Sequence, residues 1–203
     1  MYMLKVGLTG GIGAGKSVVA RLFQVIHIPV YDADSSAKRL MLTHTGLKQS
    51  IIENFGEESY KDGQLNRQYL AATAFSDKSK LELLNQLVHP VTLADAQQWF
   101  AAQDAPYAIK EAALFFESGT AEGLDYMIGV TAPLALRIKR VMQRDQISES
   151  NVKERMKHQL EDSLKMKLCD FVVHNDEQEM IIPQVLNIHH LLIELSKKER
   201  STS

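Results

Sequence analysis

The segment that governs the fold of this 203-residue chain is Gly10-Gly11-Ile12-Gly13-Ala14-Gly15-Lys16-Ser17. It matches G-x-x-x-x-G-K-[ST], the pattern of a phosphate-binding P-loop. Its glycines permit a tight turn that brings backbone amides against phosphate oxygens, at the start of a helix whose dipole favours negative charge. Residues 4–9 predict a buried strand before this turn, and residues 18–25 predict a helix after it. We therefore expect an α/β fold, a P-loop three-layer core with a parallel sheet.

The P-loop predicts a site for ATP. We expect its contacts with ATP to come from Gly11, Ile12, Gly13, Ala14, Gly15, Lys16, Ser17 and Val18. Lys16 would neutralise the β and γ phosphates, and the Ser17 hydroxyl would ligate Mg²⁺ bridging the same phosphates. The Asn-Lys-x-Asp pattern of GTPases is absent from the sequence, which favours a small-molecule kinase over a GTPase. An ATPase remains an alternative, because motor ATPases usually have an apolar strand that ends in an acidic residue, and residues 113–117 partly match that pattern.

Composition narrows the classes of protein further. Hydrophobic residues make up 45% of the chain, enough for a sizeable core, and the net charge of −2 gives no sign of a nucleic-acid partner. The one cysteine, Cys169, is interpreted as a small buried apolar residue without a catalytic role. The chain shows neither a signal-peptide pattern nor an apolar run of membrane-spanning length, so we expect a cytoplasmic protein, with a monomer favoured.

The pattern changes to helical between residues 35 and 103. Five helices are predicted, at 37–42, 47–55, 67–75, 80–88 and 93–102, and the polar residues 57–66 are interpreted as a loop. A helical stretch of this length is longer than a single crossover connection between two parallel strands needs. We therefore predict a nucleotide-binding core of residues 1–34 and 104–203, with residues 35–103 as an inserted helical subdomain on the substrate side.

The α/β pattern resumes after residue 103. Strands are predicted within 107–114 and at 126–131 and 171–174, and helices at 134–145, 151–166 and 183–197. The charge-rich residues 134–166 are interpreted as a helical lid.

Two carboxylates, Asp32 and Asp34, follow the second predicted strand. The carboxyl end of a parallel strand faces the ligand crevice, so the pair is interpreted as functional, one acid facing the metal and the other the acceptor hydroxyl. The interpretation places strand two beside the P-loop strand. The alternative is that an aspartate only caps the next helix, with Asp34 or Ser35 at the N-cap.

A basic helix forms the predicted lid. Arg137, Arg140 and Arg144 are spaced i, i+3 and i+7 and so share one helix face. An arginine guanidinium group can donate two parallel hydrogen bonds to phosphate oxygens, which suits Arg140 and Arg144 to binding a phosphoryl group during transfer. Arg137 is interpreted instead as part of a solvated basic face.

Several segments, in chain order, resemble the motifs of dephospho-coenzyme A kinases. They are residues 8–17, Asp32-Ala33-Asp34 with Ala37 and Lys38, Leu65-Asn66-Arg67 with Leu70 and Phe75, His89-Pro90, Leu114-Phe115-Phe116-Glu117, Arg140 with Arg144-Asp145, and Gln159 with Asn175-Asp176. Only the P-loop is common elsewhere, and the combination spans nearly the whole chain. Two positions depart from the family pattern: Val18 stands where the family has Thr, and Ala113 stands where it has Pro.

The resemblance implies phosphorylation of the ribose 3′-hydroxyl of dephospho-coenzyme A by ATP with Mg²⁺. It implies that Asp34 is the base, that Arg140 is the lid arginine, and that Asn175 lies near the adenine. The acceptor-side or metal-side residues that it implies are Asp32, Asp34, Arg67, His89 and Glu117. Another small-molecule P-loop kinase, or a nucleotide-binding ATPase module, is the alternative.

Overall fold

The computed structural model describes residues 3–75 and 77–202, with the side chains of 75, 78 and 200–202 outside the description. In chain order the elements are β1 (Leu4–Gly10), α1 (Lys16–Val25), β2 (Val30–Asp32), α2 (Ala33–Thr43), α3 (Thr45–Phe55), a 3-10 turn (Glu57–Ser59), β3 (Tyr60–Lys61), β4 (Gln64–Leu65), α4 (Arg67–Phe75), α5 (Lys78–Ala101), β5 (Tyr107–Glu111), β6 (Tyr126–Thr131), α6 (Leu134–Asp145), α7 (Glu149–Lys157), α8 (Asp162–Lys167), β7 (Phe171–His174) and α9 (Ile181–Thr202). The chain divides into two compact units, Met1–Tyr31 with Gln103–Ser203, and Asp32–Ala102.

A five-stranded sheet with the order β2-β5-β1-β6-β7 organises the first unit. β1 pairs in parallel with both β5 and β6, and β6 pairs in parallel with β7. The predicted α/β class with a parallel sheet is confirmed. The placement of strand two beside the P-loop strand is wrong, because β5 lies between them. β5 is almost fully buried, which suits a central position, whereas β2 is short and ends in the exposed Asp32 at the sheet edge.

Helices α1 and α9 cover one face of this sheet. The main core joins apolar side chains of β1, β5, β6 and β7 to those of the two helices, among them Leu8, Phe23, Ile109, Ile128 and Leu192, all 0% exposed. Alternate residues of each strand point to this face, so the strand that leads into the P-loop is anchored in apolar packing.

The close packing of α8 on the other face depends on a glycine. A Cβ atom at Gly129 of β6 would lie 2.6 Å from the Met166 sulfur and 3.0 Å from the Cys169 sulfur. Cys169 is half-buried, and burial raises the pKa of its thiol to about 11, which fits the packing role predicted for it.

The single helix predicted over 151–166 is two helices, α7 and α8, with residues 158–161 between them. Two hydrogen bonds explain the break. The Leu160 amide donates to Glu117 Oε1 at 2.7 Å, and Gln159 Oε1 accepts from the Ile12 amide at 2.8 Å. Both partners lie outside the helix, so the chain turns away from the helical path.

The second unit is helical around its own core. Leu40 of α2, Leu47 and Ile51 of α3, Leu70 of α4 and Val88 of α5 meet there. The predicted helices 80–88 and 93–102 form one helix, because α5 continues through Pro90. Pro90 and Gln86 are exposed, so the carbonyl group that the proline leaves unpaired is open to water.

The predicted loop at 57–66 contains a β-hairpin. Strands β3 and β4 pair antiparallel around Asp62 and Gly63, whose φ angles are 51° and 75°. An Asp-Gly pair with positive φ at both residues is typical of two-residue hairpin turns. The Asp-Gly pair was visible in the sequence, but the high polarity of residues 57–66 led to the prediction of a loop.

Candidate functional site

The P-loop connects the end of β1 to the start of α1, as its sequence predicts. Gly15 is the N-cap of α1 with a φ of 98°, and Gly13 has a φ of 80°, both values that favour glycine. Space excludes a side chain as well. A Cβ atom at Gly15 would lie 2.1 Å from Asn175 Nδ2, and one at Gly13 would lie 2.4 Å from the Arg137 carbonyl oxygen.

Two P-loop amides predicted to contact ATP already donate within the loop. The Ala14 amide donates to the Gly11 carbonyl and the Val18 amide to the Gly15 carbonyl, each at 3.0 Å. Lys16 and Ser17 form the first turn of α1, where Lys16 is half-buried and Ser17 is exposed. The loop therefore has the internal geometry of a phosphate cradle at a helix N-terminus.

Three side chains from distant parts of the chain hold the P-loop backbone. Gln159 Oε1 accepts from the Ile12 amide at 2.8 Å, Arg137 Nε donates to the Ile12 carbonyl oxygen at 3.0 Å, and Asn175 Nδ2 donates to the Ala14 carbonyl oxygen at 2.8 Å. Their sequence separations from the loop exceed 120 residues, so no local pattern pointed to these bonds.

The interpretation of Arg137 as a solvated residue is wrong. Its side chain is 8% exposed and its Nη1 lies 2.9 Å from Asp162 Oδ1. The same Asp162 oxygen has no well-directed hydrogen bond, so charge attraction rather than alignment joins the two groups. The Thr131 hydroxyl donates to the other oxygen of Asp162. Helical spacing identified the face that Arg137 shares with Arg140, but Asp162 lies too far along the chain for the sequence to reveal the pair.

Arg140 and Asn175, predicted as the lid arginine and an adenine neighbour, contact each other. Arg140 donates to the Asn175 backbone oxygen at 3.1 Å and to Asn175 Oδ1 at 3.2 Å, and it forms an ion pair with Glu177 at 3.1 Å. Asn175 is 7% exposed. These bonds link α6 to the end of β7, directly beside the P-loop.

Arg144, predicted to contact ATP, lies one helical turn further along α6 and is 63% exposed. Its Nε and Nη2 both donate to the Asp145 carboxylate, at 2.7 and 3.1 Å. Arg155 also binds Asp145, at 2.8 Å. Hydrogen bonds from Arg144 are the main reason that the pKa of Asp145 lies below its usual value.

Glu117, predicted on the acceptor or metal side, binds the amine of Lys165. Lys165 is fully buried, and its Nζ lies 2.8 Å from Glu117 Oε1 and 3.0 Å from the Ala113 carbonyl oxygen. Burial alone would raise the pKa of the Glu117 carboxyl, but hydrogen bonds from Lys165 and the Leu160 amide outweigh it and lower the pKa. Residues 113–117 form a bend and turn after β5, so the reading of this segment as an acid-ended strand is wrong.

The acid pair belongs to the second unit and lies at a helix start. Asp32 is the N-cap of α2, and its two carboxylate oxygens accept from the Ser35 amide at 2.9 Å and the Ser35 hydroxyl at 2.6 Å. The cap is thus Asp32, not Asp34 or Ser35. Asp34 is exposed in the first helical turn, because α2 begins at Ala33 and the extended strand assumed for the pair ends before it.

The other two residues predicted on the acceptor side lie on helices of the second unit. Arg67 is the exposed first residue of α4, and His89 is a half-buried residue inside α5. His89 does not end a helix, because α5 continues through Pro90.

The donor set of the P-loop suits a metal ion that arrives with a nucleotide. Within residues 3–75 and 77–202, no group of three or more His, Cys, Asp or Glu side chains is placed to hold a metal. Mg²⁺ in phosphate-transfer sites usually takes one or two protein oxygens plus phosphate oxygens and water, and the Ser17 hydroxyl fits such a ligand. In the part of the chain described, no helix is both long and apolar enough to cross a membrane.

The matching family model and the sequences of known relatives agree on one family. The family model of dephospho-CoA kinase matches residues 4–180. The chain is 35% identical to the dephospho-CoA kinase of Bacteroides fragilis over 91% of each chain. It is 38% identical to that of Porphyromonas gingivalis over 92% of this chain and 93% of the other. The structure of dephospho-CoA kinase from Campylobacter jejuni is similar with a TM-score of 0.67 and 25% identity, over 96% of this chain and 98% of that one.

The Glu117–Lys165 pair makes stability depend on pH. Glu117→Gln keeps an acceptor for the Leu160 amide but leaves the buried Lys165 charge without its partner, so we expect the free energy of unfolding at pH 7 to fall by about 3 kcal/mol. Because the folded-state pKa of Glu117 is lowered, its contribution is present above the ordinary value of 4.5 and is lost as the pH falls through the folded pKa.

Urea unfolding of both proteins between pH 7 and pH 3 measures this effect. The difference between wild type and variant should shrink as the pH falls below 4.5, while Glu122→Gln, a variant of an exposed nearby residue, should differ little from wild type over this range. A difference that stays constant with pH would show that the charge of Glu117 does not stabilise the fold.

Proposed function

Because this chain belongs to the dephospho-CoA kinase family, whose members phosphorylate dephospho-CoA with ATP in coenzyme A synthesis, we propose that Lys16, Asp34 and Arg140 carry the transfer here. The acceptor atom is the ribose 3′-hydroxyl. The observation that carries the proposal is the P-loop in its strand-turn-helix setting, within a family match that covers both units of the chain.

The P-loop binds the phosphates of ATP. Lys16 at the start of α1 neutralises charge on the β and γ phosphates, where the helix N-terminus adds a favourable dipole. Ser17 offers its hydroxyl to Mg²⁺, which when bound offsets the negative charge of the phosphates. Gly13 and Gly15 let the loop pack closely against the Arg137 backbone and the Asn175 side chain, because neither position has room for a side chain.

Asp34 orients the acceptor hydroxyl and accepts its proton. An alcohol attacks a phosphoryl group weakly until its proton has an acceptor, and a carboxylate in the first turn of α2 supplies one. We assign Asp32 mainly to capping, because both of its oxygens already accept from Ser35. Arg67 and His89 in the helical unit bind the coenzyme side of the acceptor, and Glu117 supports the segment that follows β5.

Arg140 stabilises the charge on the phosphoryl group during transfer. Its guanidinium group donates to Asn175 and Glu177 in this structure, so the role requires that at least one of these contacts is exchanged for phosphate oxygens. The contact with Glu177 is the one more open to exchange, since the Glu177 side chain is 66% exposed.

Release of ADP with and without acceptor tests the proposed reaction. We expect ADP from Mg-ATP to depend on dephospho-CoA, and the product to carry its new phosphate at the 3′ position by ³¹P NMR. Dephospho-CoA that lacks the 3′-hydroxyl should yield no more ADP than ATP alone. ADP release that is the same without an acceptor would identify an ATPase, and phosphorylation of the analogue would exclude the 3′-hydroxyl.

Asp34→Asn separates catalysis from capping. The amide keeps the size of the side chain but loses its basicity, so kcat should fall by roughly 10²–10⁴-fold while the binding of ATP and dephospho-CoA is retained. Asp32→Asn is the matched control, because asparagine caps helices as well as aspartate does, and its kcat should fall far less. A stable, fully active Asp34→Asn enzyme would assign the base to another residue.

Arg140→Ala should lower kcat by about 10³-fold and change the KM for ATP much less, because the arginine acts on the transition state. Glu177→Ala removes the exposed partner of Arg140 without removing its charge, and we expect it to retain most of the activity. Steady-state kinetics of the two variants decide the role. Equal losses in both would mean that Arg140 only fixes the end of β7.

A further inference from the structure

Ile12, the third residue of the P-loop, is held through its amide, its carbonyl oxygen and its side chain. Its amide donates to Gln159 Oε1 at 2.8 Å, and its carbonyl oxygen accepts from Arg137 Nε at 3.0 Å. Its side chain packs with Ile138, Val141 and Val152 in the cluster between α6 and α7. The backbone of this residue is thus fixed on both sides of its Cα and through its side chain.

We propose that Arg137 and Gln159 are positioning residues for phosphate transfer, which set the orientation of the Ile12 backbone and through it the amides of the P-loop that follow. Neither residue needs to touch ATP for this role. This positioning role goes beyond the contacts proposed for Lys16, Asp34 and Arg140, but it rests on the proposal that the P-loop binds ATP.

Electrostatics explain why the direction of the Ile12 carbonyl group matters. A carbonyl oxygen that faced the phosphates would place a negative partial charge against them. Arg137 binds this oxygen and keeps it directed towards α6. The space is closely filled, because a Cβ atom at Gly11 would lie 2.0 Å from Arg137 Nη2.

Arg137 is itself fixed by Asp162. The Asp162 carboxylate lies 2.9 Å from Arg137 Nη1 and accepts from the Thr131 hydroxyl at the end of β6. The pair is mostly buried, with side chains 8% and 21% exposed. Without Arg137 the negative charge of this mostly buried carboxylate would be uncompensated, so the arginine both binds the loop and compensates the acid.

Lysine cannot replace both functions of Arg137. An ammonium group retains the charge opposite Asp162, but it lacks the planar group that places Nη1 beside the acid while Nε donates to the Ile12 carbonyl oxygen. Arg137→Lys therefore preserves the ion pair while weakening the hold on the loop. Gln159→Leu keeps the approximate size of the other residue and removes its acceptor.

Kinetics of these two variants test the proposal. We expect each to lower kcat/KM for Mg-ATP by about 10- to 100-fold, the scale of loss from a small misplacement of catalytic groups. The KM for dephospho-CoA at saturating ATP should stay within about twofold of wild type, and melting temperatures should stay within about 3 °C. Lys139→Ala, which removes an exposed charge from the same helix, is the matched control and should behave as wild type.

The double variant adds a second criterion. Because both residues hold the same Ile12 residue, the loss in Arg137→Lys/Gln159→Leu should be smaller than the product of the single losses. The proposal is overturned if folded single variants keep kcat/KM for Mg-ATP within about twofold of wild type, or if only their melting temperatures fall. If the wild-type enzyme shows no ATP-dependent transfer at all, the proposed reaction fails instead, and Mg-ATP binding to the same variants still tests the positioning.

Discussion

The structure depends on a backbone conformation that the P-loop cannot maintain by itself. Residues 10–17 contain four glycines, and glycine loses more conformational freedom on folding than any other residue. The loop gains few apolar contacts to offset that loss, apart from Ala14 in the main core and Ile12 between α6 and α7. Hydrogen bonds from Arg137, Gln159 and Asn175 supply the remaining constraint. A rigid cradle lowers the cost of ordering when phosphate binds.

Two of the three residues that hold the loop, Arg137 and Gln159, come from residues 134–166, the segment that also carries Arg140 and Arg144. Helices α6 and α7 are therefore attached to the ATP site through the Ile12 backbone and the cluster around Ile138 and Val141. A change in the position of these helices would be transmitted to the loop by side chains that have direct bonds to it. The same segment reaches Glu117 through Lys165, which ties the turn after β5 to α8.

Local patterns predicted the parts of the fold that local chemistry determines. The bounds of β6, α6 and β7 match their apolar or amphipathic patterns residue by residue, and the P-loop fixes the start of α1. The order of strands was not predictable, because β5 enters the sheet between β1 and β2 only after the whole second unit has intervened. The sequence predicted two helices separated around Pro90, but the structure has one. Packing along both halves of α5 outweighs the one hydrogen bond that the proline removes.

In the candidate site, too, local patterns identified some residues, whereas contacts with distant parts of the chain could not be predicted. Motif positions identified Lys16, Ser17, Arg140 and Asn175, which lie in the first unit, and their roles stay predictions. Arg137 was misjudged because a basic residue on a helix is usually solvated, and its burial depends on Asp162, a partner 25 positions away. The sequence did not identify Asp32 as the helix cap, because spacing alone does not show that the helix starts one residue after it, and a functional role of Asp32 stays a prediction.

Hydrogen exchange at the Ile12 amide in the ligand-free enzyme tests most directly whether the loop is held before ATP arrives. We predict slow exchange in the wild type, and at least about tenfold faster exchange in Gln159→Leu with unchanged protection in β1. Exchange of the Ile12 amide at the rate of an unstructured peptide in the wild type, or no change in the variant, would contradict the account.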